Sequence, residues 1–95
     1  MSHLLKLVEW ESPTGWHCND TSDLAHGSGN WWNIPRMLNI SLTDYVLLLK
    51  NDFNATDFHY NINYNVLLWK WKTYSDCHKF TLFINKEARK RKFFV

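Results

Sequence analysis

The chain has 95 residues, 45% hydrophobic and 21% charged, with a net charge of +2. So short a chain of globular composition holds one core and one domain, residues 1–95, which excludes a disordered tail, a collagen-like fibre and a disulfide-dense knot. The charge is uneven: three basic residues stand against seven acids in 1–60, and eight against Asp76 and Glu87 in 61–95.

In chain order, residues 3–10 (HLLKLVEW) read as a strand apolar on both faces, as in a strand covered on two sides. All three Gly (15, 27, 29) and both Pro (13, 35) fall between 13 and 35. Gly and Pro mark irregular backbone, so 11–35 reads as one long irregular segment. Residues 41–53 read as a helix. Ser41 and Asp44 form a capping-box variant, Ile40 and Tyr45 a staple, and Leu42, Tyr45, Val46, Leu49 and Phe53 one apolar face.

Residues 57–65 alternate, with Phe58, Tyr60, Ile62 and Tyr64 on one side. After an Asn-rich stretch the phase flips to Leu67, Trp69 and Trp71, which reads as a hairpin in which Asn supplies the left-handed turn residues. Residues 75–90 read as a second helix capped by Ser75, with Cys77, Phe80, Thr81, Ile84 and Ala88 inward. Its outer face carries Lys79, Lys86 and Lys90, with Arg89 beside them. Residues 92–95 (KFFV) are left extended.

These elements give an α+β fold: an antiparallel sheet with two helices on one face, in the β-α-β-β-α(-β) order of a ferredoxin-like plan. Helices on one face leave apolar strand surface on the other. Either the 11–35 segment covers it with Trp16, Trp31 and Trp32, or another chain does, for instance in a homodimer.

The sequence offers several chemical constellations. His17, Cys18, Asp20, Asp23 and His26 crowd one short stretch, and Cys77-His78 adds a second pair. Two His and two Cys suffice in number for zinc, with His17, Cys18 and His26 as the first ligands. The spacing argues against it, because adjacent residues point apart and no C-x-x-C is present. The same objection meets a Cys18–His17 or Cys18–His26 nucleophile pair. A polar loop and two buried thiols explain these residues as well. No cofactor is implied, and no catalytic residue is assigned.

His26 to Asn30 (HGSGN) has the Gly content of a phosphate cradle, but no Lys follows and no strand precedes it; a turn that delivers Trp31 and Trp32 is the plainer reading. Trp16, Trp31 and Trp32 are either core fillers or exposed anchors for a partner. The basic set Lys79, Lys86, Arg89 and Lys90 is either a solvated face or a contact for an anion. Trp69 and Trp71 share the phase of Leu67, whereas Lys70 and Lys72 take the other, so stacking aromatics and cations are not expected on one surface.

No basic leader precedes an apolar run at the start, and no apolar run is long enough to span a bilayer. With two cysteines, the expectation is a soluble intracellular protein with reduced thiols. The stretch Ser12-Pro-Thr-Gly-Trp-His-Cys-Asn-Asp20, then Trp31-Trp32-Asn-Ile-Pro35 and Thr43-Asp44-Tyr45-Val46, resembles small uncharacterised proteins of phages and mobile elements in low-GC bacteria. The resemblance implies a non-enzymatic binding protein in the cytoplasm of a bacterial host that inhibits or modulates a macromolecular partner, such as an anti-CRISPR or other anti-defence factor. A nucleic-acid-binding module using the C-terminal helix is the first alternative, and a small Cys/His enzyme or metal-binding protein the second.

Overall fold

The computed structural model describes residues 3–20, 30–61 and 66–95. Its elements are β1 (Leu7–Ser12), β2 (Gly15–Asp20), α1 (Asn30–Leu38), α2 (Leu42–Phe53), β3 (Thr56–Asn61), β4 (Val66–Lys70) and α3 (Tyr74–Arg91). The fold is α+β, as the periodicities predict. The order differs from the ferredoxin-like plan: it is β-β-α-α-β-β-α, and the strands pair as two antiparallel hairpins, β1 with β2 and β3 with β4.

The difference lies in the segment expected to be irregular. Ser12 and Gly15 are cross-strand partners, so Pro13-Thr14 is the tip of a tight hairpin and not the start of a long loop. The Ser12 hydroxyl donates to the Gly15 carbonyl at 3.1 Å and holds the turn. Residues 15–20 then form β2, and residues 30–38 form α1 with Pro35 inside it. The remainder of the segment, residues 21–29, lies outside the described residues.

The first strand is also shifted. Regular pairing begins at Leu7, whereas residues 3–5 pair with the chain's other end. His3 N–H donates to the Val95 carbonyl (3.0 Å), Val95 N–H to the His3 carbonyl (2.8 Å) and Leu5 N–H to the Phe93 carbonyl (3.0 Å). The extended tail is thus a short ladder that joins the termini. Asn85 of α3 continues the protection along β1: it accepts from Leu7 N–H at 2.8 Å and donates to the Leu7 carbonyl at 3.3 Å. One side-chain amide thereby satisfies the backbone of a strand edge that would otherwise be open.

Helix ends follow local chemistry. Ser41 accepts from Asp44 N–H and starts α2 as expected. The cap of α3 is Thr73, not Ser75: its hydroxyl oxygen accepts from Asp76 N–H. Thr73 precedes Asp76 by three residues, which is the N-cap spacing; Ser75 already lies inside the first turn. At the other end, α1 and α3 close on left-handed Asn39 and Lys92. In α1, Asn39 N–H reaches the Arg36 carbonyl and Ile40 N–H the Pro35 carbonyl; in α3, Lys92 N–H reaches Arg89 and Phe93 N–H reaches Ala88. Both are Schellman closures made without glycine.

The core forms where α2 and α3 meet the β4 face that carries Leu67 and Trp69, continued by Trp71 just beyond the strand, all buried. Phe80 packs against three rings, Tyr45, Phe53 and Trp71, at centroid distances of 6.4, 5.1 and 5.3 Å. Trp71 is fully buried, yet its Nε1–H is satisfied by the Phe53 carbonyl at 2.7 Å. The aromatic surplus is therefore largely a small domain's core filling, with each ring bringing much apolar area.

Candidate functional site

The inner stripe of α3 is formed by Cys77, Phe80, Thr81, Ile84 and Ala88, all buried. At 3.6 residues per turn, the opposite side must carry Lys79, Lys86, Arg89 and Lys90, and all four are exposed. Among the described residues none of them has an ion pair. The neighbouring Arg91, by contrast, is committed: it pairs with Glu87 at 3.2 Å and donates to the Met37 carbonyl at 2.8 Å. Leu82 stands among the four cations. It is 55% exposed, with Lys79 three residues before it, Lys86 four after and Arg89 seven after. Those spacings put all four side chains on one helix face.

A second group lies at the start of α3, where the β1–β2 hairpin packs on it. Glu9 and Cys18 are cross-strand partners, so both side chains take the hairpin face turned to α3. Glu9 Oε1 lies 2.9 Å from His78 Nδ1, and the Tyr74 hydroxyl donates to the same oxygen at 3.4 Å. Tyr74 stacks on His78 with centroids 5.1 Å apart and packs on Trp16 at 4.7 Å. Partial desolvation, then the Glu9 carboxylate, push the Tyr74 phenol up. This carboxylate–imidazole–phenol group pins the hairpin to the helix.

The expected site residues are distributed unevenly. Trp16 lies in a strand, half-buried against Tyr74, and not in a loop. The backbone of Trp31 and Trp32 belongs to α1; their side chains lie outside what the structure describes. His17 turns away from α3, stacking on Trp10 at 5.4 Å with its Nε2 2.9 Å from Ser12 Oγ. Cys18 takes the opposite face, buried, so β2 separates the two residues that a Cys–His pair or a metal site would need together. His26 lies outside the described residues. Among the described residues no three His, Cys, Asp or Glu side chains converge as metal ligands.

Burial first, then the adjacent Cys77 thiol and the Glu9 charge, raise the Cys18 thiol well above the ordinary range. That is the opposite of the adjustment that activates a catalytic cysteine at neutral pH. Trp69 and Trp71 face the helices, whereas Lys70 pairs with Asp57 at 2.9 Å, so the strand aromatics and cations do not share a surface.

Two features escape the sequence reading. Leu82 has a visible signal, an apolar residue among the polar positions of an amphipathic helix. The Glu9–His78 contact joins residues 69 positions apart and has no local signal.

Comparison with protein families, curated proteins and solved structures finds no match for this chain. The residues themselves therefore carry the functional reading. No helix among the described residues is long and apolar enough to cross a membrane.

Proposed function

We propose that this protein is a non-enzymatic binding factor that inhibits or modulates a macromolecular partner, docking through the outer face of α3. An anti-defence protein of a phage or mobile element would act in this way. The carrying observation is the exposed Leu82 ringed by Lys79, Lys86 and Arg89. A cation-rimmed apolar anchor on a helix fits a protein groove with an apolar floor and acidic walls. A phosphate backbone would use the cations alone and leave Leu82 without a role.

The test is capture from nuclease-treated extract of the source cells, followed by affinity measurement with the purified partner. The expected result is a stoichiometric protein that binds Leu82→Ala about tenfold more weakly, with Lys86→Glu and Arg89→Glu lowering affinity most at low salt. Unchanged affinity for both kinds of variant would sink the reading. The nucleic-acid alternative draws support from the same unpaired cations along the helix. It predicts duplex binding at about 50 mM salt that Leu82→Ala leaves intact and charge reversal abolishes.

A further inference from the structure

We infer that Cys18 and Cys77 form an oxidation site, a thiol pair that a peroxide converts into an intramolecular disulfide joining β2 to α3. The inference is independent of the outer face of α3. Neither cysteine is in a disulfide, and both are buried at the hairpin–helix contact, Cys18 with 6% exposure and Cys77 with none. Cys77 Sγ donates to the His17 carbonyl at 3.5 Å, which belongs to the peptide group that leads into Cys18. Cys18 takes the hairpin face turned to α3 and Cys77 the buried stripe of α3, so the two thiols face each other across that contact, where Thr81 Oγ1 donates to the Cys77 carbonyl at 3.1 Å. The fold thus brings together two sulfurs separated by 58 residues of chain. Packing alone needs only one small apolar side chain at each place.

The chemistry balances with one peroxide per pair. Cys18 keeps the residual exposure and meets the oxidant first. Its sulfur, as thiolate, attacks one peroxide oxygen; the O–O bond breaks, leaving a sulfenic acid and releasing water once the proton from Cys18 is counted. The Cys77 sulfur then attacks the sulfenic sulfur, the S–O bond breaks, and hydroxide leaves with the proton from Cys77 as a second water. Two electrons pass from the sulfurs to the peroxide. Because burial keeps Cys18 as the thiol, the conversion is slow at neutral pH and quickens as pH rises.

The experiment uses the folded protein without substitution. Hydrogen peroxide treatment is followed by catalase, alkylation with N-ethylmaleimide and a non-reducing peptide map. The expected product is a monomer lighter by about 2 Da, with one cross-linked peptide pair containing Cys18 and Cys77. Its melting temperature should rise on the order of 10 °C and return to the starting value with dithiothreitol, since the link closes a long loop. Both cysteines alkylated after oxidation, arrest at sulfinic acid, a disulfide between chains, or a fall in melting temperature would each overturn the inference.

Discussion

Trp16 and Trp71 exchange both of their backbone hydrogen bonds, Trp16 N–H to the Trp71 carbonyl at 2.7 Å and Trp71 N–H to the Trp16 carbonyl at 2.9 Å. This bridge joins the two hairpins, setting β2 beside the end of β4. It also places the Trp16 side chain against Tyr74 at the start of α3, so the hairpin and the helix that carries the candidate surface share one junction.

Gly15 makes the bridge possible. Its φ is +153°, and a Cβ built there would stand 2.7 Å from the Trp71 carbonyl oxygen. Backbone crowds it on that side, so a side chain has no rotamer by which to escape. Gly15→Ala should destabilise the fold by about 1–3 kcal/mol through strain and loss of the bridge. Thr14→Ala, at the exposed turn tip, should change stability by less than about 0.5 kcal/mol. Urea denaturation of the two variants checks the pair; equal effects would show that crowding at Gly15 is not what matters.

Tyr45 supplies the opposite case. Its ring is fully buried, and its hydroxyl has no hydrogen-bond partner among the described residues. Burial pushes the phenol well above its ordinary range. A buried hydroxyl without a partner loses its hydration and gains nothing in return. Tyr45→Phe keeps the edge contact with Trp69 and removes the orphan, so it should be neutral or stabilising by up to about 2 kcal/mol. A loss above about 1 kcal/mol in the same assay would show that the hydroxyl is satisfied in solution.

Lys92 tests how the chain ends its helices without glycine. The residue is left-handed, φ 50° and ψ 52°, at the end of α3. A Cβ is penalised there and glycine is not. Lys92→Gly should therefore stabilise the protein by about 0.5–1 kcal/mol, read as a rise in melting temperature. A fall would mean that the lysine side chain makes a contact worth more than the strain.

The same residue shows where the sequence is legible. Periodicity located α2 and α3 because their inner faces are apolar at helical spacing and nothing else competes: Leu49, Phe80, Ile84 and Ala88 are all fully buried. The basic outer face of α3 followed from the same period. Pro13 and Gly15 conceal strand β2, because in sequence they suit a long loop as well as the two-residue turn they form between strands. Helix α1 was hidden by Pro35, which the helix accommodates. The ends of α1, α2 and α3 rest on Asn39, Asn54 and Lys92, so no glycine announces them. Glu9 and His78 meet only because the hairpin lies on α3, a tertiary event without a local pattern. Leu82 is legible as an apolar residue on the polar side of an amphipathic helix, outside the buried stripe that the period defines.

Asp57 and Lys70 set an acid-side prediction. Asp57 is left-handed (φ 56°) at the irregular pairing between Thr56 and His59, and its carboxylate lies 2.9 Å from Lys70 Nζ. The Lys70 ammonium, by hydrogen bond first and by charge second, holds the Asp57 carboxyl below the ordinary aspartate range. A carboxylate with a lowered folded-state pKa contributes stability above its unfolded pKa, about 3.9. That contribution is lost as pH falls through the folded value. Asp57→Asn should therefore flatten the decline in stability below about pH 4 and leave the profile above pH 5 parallel to the parent. The pair is exposed on the Asp57 side, so the effect is small and should shrink in high salt. Carboxyl NMR titration reads the pKa directly: a midpoint for Asp57 at or above that of free aspartate would show that Lys70 does not hold it.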